Sequence, residues 1–313
     1  MHNWRVKDWL FLSSPYPFAC ILTCYFSIIY FGRNLMKTRE PYSLRKVLFV
    51  YNTLQIILST YIFKEILITA YQSGYSLTCQ SIERSADPLP YRMAEAFWWF
   101  TTSKVFDLLD TVFFVLRKKE NQLTFLHVYH HSSMLPNWYL GTLYLPGGQA
   151  FFSAMLNSLV HIIMYCYYLL SALGPEWQPY LWWKKYLTQL QLTQFLVVIG
   201  HILVGVYNDC DPPHWLTTWT LSYMCTMVAL FLNYYYQTYR MPSLKTKFIT
   251  SYPTENIDNV VEESENSPEA EEDWFNCQLR KNKRNKSNFP TNASPSKASV
   301  CCPRRGEGDK KTG

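Results

Sequence analysis

An all-α multi-pass membrane protein with seven transmembrane helices is the fold class this sequence predicts, on three observations. Up to about residue 240 the apolar residues gather in runs of roughly 17–25, long enough to cross a hydrocarbon core of about 30 Å. Basic residues cluster in alternate connections, the asymmetry that a positive-inside bias leaves. Aromatic rings sit beside charges, as in "YLWWKKY" (180–186), which suits a bilayer interface. The modest mean hydropathy reflects 24 tyrosines and a polar tail rather than a lack of apolar runs.

The first run, 16–32, is followed by Arg33, Lys37, Arg39, Arg45 and Lys46. The second covers 47–72. The third, 96–116, ends against Arg117, Lys118 and Lys119. The fourth, 123–144, leads into an uncharged stretch at 145–150. The fifth spans 151–170, and Lys184 and Lys185 stand before the sixth, 187–206. An acidic connection with Asp209 and Asp211 precedes the seventh, 215–239, which is followed by Arg240, Lys245 and Lys247. This alternation assigns the basic connections and the C-terminus to the cytosol and the N-terminus to the opposite side. Seven spans satisfy it, whereas six or eight break it. The N-terminus lacks the basic, apolar and small-residue succession of a signal peptide, so no cleavage is expected.

Residues 1–247 thus form a membrane domain and 248–313 a cytosolic tail. The tail passes from an acidic stretch to the basic "RKNKRNK" at 280–286 without apolar periodicity, a composition expected to stay disordered. It ends "KKTG", and Lys310 and Lys311 occupy the positions of a dilysine retrieval address for the endoplasmic reticulum. The sequons at Asn285 and Asn292 are expected to stay unmodified on that side. Of nine cysteines, only Cys79 and Cys210 fall in connections assigned to the non-cytosolic side, where a disulfide can persist, and they are expected to pair.

The chemistry concentrates in four of the spans. "LHVYHH" (126–131) places His127, His130 and His131 at i, i+3 and i+4, hence on one helix face. "NSLVHIIMYCYY" (157–168) adds Asn157, His161, Tyr165 and Tyr168 at helical spacing. "KVFDLLDT" (104–111) adds Lys104, Asp107, Asp110 and Thr111, and "TQLQLTQ" (188–194) adds Gln191 and Gln194. Polar side chains at similar depth in four spans are costly in lipid and point to an internal cavity. A di-iron desaturase or hydroxylase needs more histidine ligands than the seven in this chain, two of which lie in connections. Zinc needs only three convergent ligands and an open position, so it stays open on counting alone. The other use of clustered imidazoles is acyl transfer, in which a neutral imidazole attacks a thioester and its neighbours move protons. A seven-helix receptor shares the topology but needs no nucleophile. His201 stands alone in its span and reads as packing.

Taken together, "DTVFFVLRKK" (110–119), "LHVYHH", "NSLVHIIMYCYY", "YLWWKKYLTQLQ" (180–191) and "FLNYYYQTY" (231–239) resemble the elongation of very long chain fatty acids family. These are the condensing enzymes of microsomal chain elongation. The resemblance spans about 14–241, and "IGHILVGVYNDC" (199–210) and "REPYSLRKVLFVYN" (39–52) look most like its type-four branch. The family's KxxExxDT motif reads here with aspartate at 107, a shorter carboxylate.

The resemblance implies six of seven helices forming a barrel around an acyl tunnel closed towards the lumen. It implies a very-long-chain 3-oxoacyl-CoA synthase that condenses a long or very long fatty acyl-CoA, polyunsaturated chains included, with malonyl-CoA. The products are 3-oxoacyl-CoA, CO2 and CoA. By motif position His130 is the nucleophile and His161 its nearest catalytic partner, with His127 and His131 orienting groups or shuttling protons. Lys104, Arg117, Lys119, Gln122, Lys184, Thr188 and Gln191 match positions that hold the CoA portion, with Asp107, Asp110, Asn157 and Tyr165 beside them at the substrate. No bound cofactor or metal is implied, the two CoA esters being substrates. Implied partners are the lipid bilayer, the reductases and dehydratase of the elongation cycle, and a second copy in a homo-oligomer.

Overall fold

The computed structural model describes residue 6 and residues 8–210 and 214–241. The whole of the expected tail, 248–313, with Lys310 and Lys311, lies outside the described residues. Among the described residues the secondary structure is helical throughout, without strands. Helix α1 (Tyr16–Ser27) passes through a π-helical turn, Ile28–Gly32, into the short α2 (Arg33–Met36). Helix α3 (Arg45–Gln72) is the longest at 28 residues, about 42 Å at helical rise.

Helix α4 (Pro88–Asp107) begins earlier than the expected third span, because Asp87 is extended and Pro88 opens the first turn. The helix breaks at Leu108 and resumes as α5 (Leu109–Leu116). Thr124 then caps α6 (Phe125–Tyr144), its hydroxyl accepting from the His127 amide at 3.2 Å. Helix α7 (Phe151–Leu173) stops at Gly174, whose φ of +146° few other residues adopt. Helices α8 (Lys184–Tyr207) and α9 (His214–Tyr235) complete the set.

Among the described residues, five helical segments are long and apolar enough to cross a membrane: Tyr16–Met36, Arg45–Gln72, Gly148–Leu173, Lys184–Tyr207 and His214–Arg240. The two other expected spans are helical but less apolar. One is interrupted at Leu108 and carries Lys104, Asp107 and Asp110, and the other holds three histidines and Pro136. Those charged, imidazole and proline residues lower the hydropathy of the two segments.

Residues up to Arg240 form one compact unit. Within it α3 packs on α4 and α7, α7 on α8, α8 on α9, α9 on α6, and α6 on α4, while α1 lies against α6. Lipid tails are as apolar as leucine, so close packing and interhelical hydrogen bonds hold such helices together. Phe97, Phe100, Trp138, Phe151, Phe195 and Met227 fill the centre. Thr101 and Thr142 hydroxyls meet at 2.6 Å between α4 and α6, and Arg92 of α4 binds Glu65 of α3 at 2.6 Å. Exposed aromatic residues such as Tyr16, Tyr71, Tyr180, Trp182, Tyr207 and Trp215 mark the helix ends, where a headgroup region would meet them. Cys79 and Cys210 are joined by a disulfide with Cα atoms 5.5 Å apart, tying the α3–α4 connection to the end of α8.

Candidate active site

The histidine box opens α6. Because Thr124 fixes the helix start, His127, His130 and His131 share its first turns, each half-buried. The His127 and His131 rings lie 4.2 Å apart and those of His130 and His131 5.3 Å. His127 Nε2 is 2.8 Å from the Thr111 hydroxyl, which lies 3.0 Å from the Tyr25 hydroxyl. That contact sets the orientation of the His127 ring. His130 packs against Phe231 of α9, at 6.2 Å between centroids.

A second group faces the box from α3, α4, α5 and α7. The Lys104 ammonium donates to Asp107 Oδ2 at 3.0 Å and to Asn157 Oδ1 at 3.2 Å, and sits 4.6 Å above the Phe100 ring. Lys104 and Asp107 are 3 % and 4 % exposed, so the pair is viable only because each charge answers the other. Asp107 Oδ1 accepts from Gln55 at 2.7 Å and from Tyr165 at 2.9 Å, and Oδ2 lies 3.8 Å from His161 Nδ1. Tyr165 also stands 3.1 Å from Asp110. Thr111, whose hydroxyl meets His127, follows Asp110 in the chain, and α6 packs on α4, so the two groups are neighbours.

Lys104, Asp107, Asp110, Asn157, His161 and Tyr165 are therefore assembled as one buried network beside His127, His130 and His131. Other residues expected at the substrate stand apart from it. Arg117 is half-buried, and Lys119, Gln122 and Lys184 are exposed around the ends of α5 and α8. Thr188 is buried with its hydroxyl 3.4 Å from that of Tyr239, and Gln191 contacts the Met164 sulfur at 3.6 Å. His201 stacks on Phe152 and meets the Gln149 side chain at 3.3 Å.

Sequence reasoning passed over Gln55 and Tyr51, both buried on α3. Gln55 Nε2 lies 2.7 Å from Asp107 Oδ1 and 3.2 Å from the hydroxyls of both Tyr51 and Tyr165, and its two N–H groups serve Asp107 and one of the phenols. The signal was available, because Asn52, Gln55 and Ser59 recur at i, i+3 and i+7, a polar stripe along one face of a largely apolar run. Among the described residues, no three His, Cys, Asp or Glu side chains are arranged to hold a metal ion.

A cavity of about 180 Å³ lies along the same side of α6, lined by residues that include Asn137, Gly141, His201, Gly205 and Tyr223. Asn137 and Gly141 follow His130 by seven and eleven residues, about 10–16 Å along the helix.

A helical membrane protein that gathers half-buried imidazoles beside a buried charged network has the makings of an enzyme active site. Residues 10–247 match the GNS1/SUR4 (ELO) family. The chain is 48% identical over 238 residues to very long chain fatty acid elongase 4 of Mus musculus, covering 76% of each protein. It is 46% identical over 241 residues to very long chain fatty acid elongase 2 of Mus musculus, covering 77% of this chain and 82% of that one. Very long chain fatty acid elongase 7 of Rattus norvegicus is 41% identical over 238 residues, covering 75% and 85%. The chain belongs to the GNS1/SUR4 family of fatty acid elongases.

Proposed function

We propose that this enzyme is a very-long-chain 3-oxoacyl-CoA synthase that works through an acyl-imidazole on His130. The observation that carries the reading is the position of His130. It belongs to the histidine box that neighbours the Lys104–Asp107–His161 group through Thr111, on the helix whose same side lines the cavity about 10–16 Å further on.

An acyl-CoA enters with its thioester at the box and its hydrocarbon in that cavity. The neutral His130 nitrogen attacks the thioester carbonyl, the C–S bond breaks, and CoA leaves after taking up a proton. Malonyl-CoA then loses CO2, and the resulting enolate carbon attacks the acyl-imidazole carbonyl. His130 is released and 3-oxoacyl-CoA departs. Lys104, held by Asp107 and Asn157, supplies the positive charge that favours the developing oxyanion. His161, His127 and His131 move the protons.

Arg117, Lys119, Gln122, Lys184, Thr188 and Gln191 hold the CoA portion, with its phosphates met by cations near the helix ends. Both CoA esters are substrates, and no resident cofactor enters the scheme. The closed order of contacts α3–α7–α8–α9–α6–α4 supports a six-helix barrel with a seventh span, α1, outside it. The charge pattern supports a luminal N-terminus and a cytosolic C-terminus in the endoplasmic reticulum membrane. The 3-oxoacyl product must be reduced, dehydrated and reduced again, so the enzymes of those steps are its functional neighbours, and a homo-oligomer is compatible with the exposed apolar helix faces.

The test uses purified full-length protein and a long-chain acyl-CoA alone. The two-step mechanism releases stoichiometric CoA and leaves an acyl adduct visible by intact mass, and His130→Ala abolishes both. If CoA appears only with malonyl-CoA, the two-step scheme fails and direct condensation replaces it.

A further inference from the structure

The hydrogen atoms of the buried network can be counted. A phenol owns one proton to donate, a primary amide owns two, and an ionised carboxylate only accepts. Tyr165 Oη lies 2.9 Å from Asp107 Oδ1 and 3.1 Å from Asp110 Oδ2, so its one proton can serve one of these contacts. The other is either two oxygens pressed lone pair to lone pair, or a hydrogen bond whose proton sits on a carboxyl group. Gln55 cannot resolve it, because it reaches Asp107 and the two phenol oxygens but supplies no proton between Tyr165 and a carboxylate. Tyr51 does not resolve it either. Its single proton, whether given to the Phe106 carbonyl at 3.2 Å or to Tyr165 Oη at 3.5 Å, still leaves Tyr165 with one proton for two carboxylate contacts.

Charge decides which carboxyl group holds the extra proton. Asp107 faces the Lys104 ammonium at 3.0 Å and His161 at 3.8 Å. Asp110 is 8 % exposed, and among the described residues no cation forms an ion pair with it. A buried carboxylate without a counter-charge is strongly disfavoured against its neutral form.

We propose that Asp110 is held as the neutral acid and donates its O–H to Tyr165 Oη, turning the Tyr165 proton onto Asp107. Asp110 is then a positioning residue, acting through Tyr165 to fix the carboxylate that aligns Lys104 and His161. The network keeps one negative charge against one positive charge. This deepens the elongase reading and rests on it only for the activity measurement below.

The decisive measurement is infrared spectroscopy of the full-length protein in detergent near neutral pH, with and without carboxyl-labelled aspartate. The wild type shows the C=O stretch of a protonated, label-sensitive carboxylic acid. Asp110→Asn removes that band, Asp107→Asn retains it, and Tyr165→Phe shifts its frequency by removing the bonded oxygen. A wild type without the band, or a band lost in Asp107→Asn and kept in Asp110→Asn, overturns the proposal. Should Asp110→Asn fail to fold, the label shift and the Tyr165→Phe shift decide it. In CoA release, Asp110→Asn runs at least about tenfold faster than Asp110→Ala, because the amide still donates to Tyr165. Equal loss in both overturns the positioning role. A wild type that releases no CoA counts against the two-step mechanism instead, and the infrared band alone then decides Asp110.

Discussion

The Lys104–Asp107 pair is where single atoms matter most. Asp107 accepts from Lys104, Gln55 and Tyr165 at 2.7–3.0 Å, so the short carboxylate already reaches every partner. Lengthening it has no space to use. Asp107→Glu is expected to cost about 1–3 kcal/mol through overpacking, read as a lower thermal midpoint in detergent. Lys104→Met is expected to cost more, about 3–5 kcal/mol, because it leaves Asp107 charged and buried without its counter-ion. The same variant should lose condensation activity, whereas Asp107→Glu should keep a measurable part of it. Those outcomes separate the charge of residue 107 from its length.

Among the helices, α6 carries both the reacting end and the start of the cavity. A Cβ placed on Gly141 meets only the Trp138 ring, at 3.4 Å, and the remaining space belongs to the cavity. Gly141→Leu is therefore expected to shift the product distribution to shorter chains with little loss of CoA release from short acyl-CoA, as measured by chromatography of the acyl products. An unchanged distribution would separate this cavity from the acyl chain. The helices themselves were legible in the sequence, since apolar runs and caps such as Thr124 are local signals. So was the half of the site carried by histidines and charges at helical spacing. The break at Leu108, the Gln55–Asp107 bond and the Thr111–Tyr25 support of His127 were not. They depend on which helix lies beside which, and residues 52, 86 or 110 positions apart in the chain leave no periodic trace of meeting.

At the scale of the whole molecule, two ties fix the arrangement: the disulfide and the sidedness of the connections. Cys79 and Cys210 are 131 residues apart in sequence, so their bond closes a long loop, for which about 2–5 kcal/mol of stabilisation is typical. Cys79→Ser is expected to lower the thermal midpoint of the folded protein by a matching amount, and reductant to do the same to the wild type alone. The disulfide also belongs to the topology. A bridge persists in an oxidising compartment, and the proposed orientation puts the same connection on the non-cytosolic side. A sequon grafted into the 73–87 connection, near Cys79, should therefore be glycosylated in microsomes, shown by an endoglycosidase-sensitive loss of mobility. The natural sequons at Asn285 and Asn292 should show no such shift, because a cytosolic tail never meets the transferase. The reverse result, a modified tail and an unmodified 73–87 connection, would invert the membrane orientation. It would also place the histidine box at the luminal face, away from cytosolic CoA esters, so the direction of the chain through the bilayer tests the proposed chemistry as well as the fold.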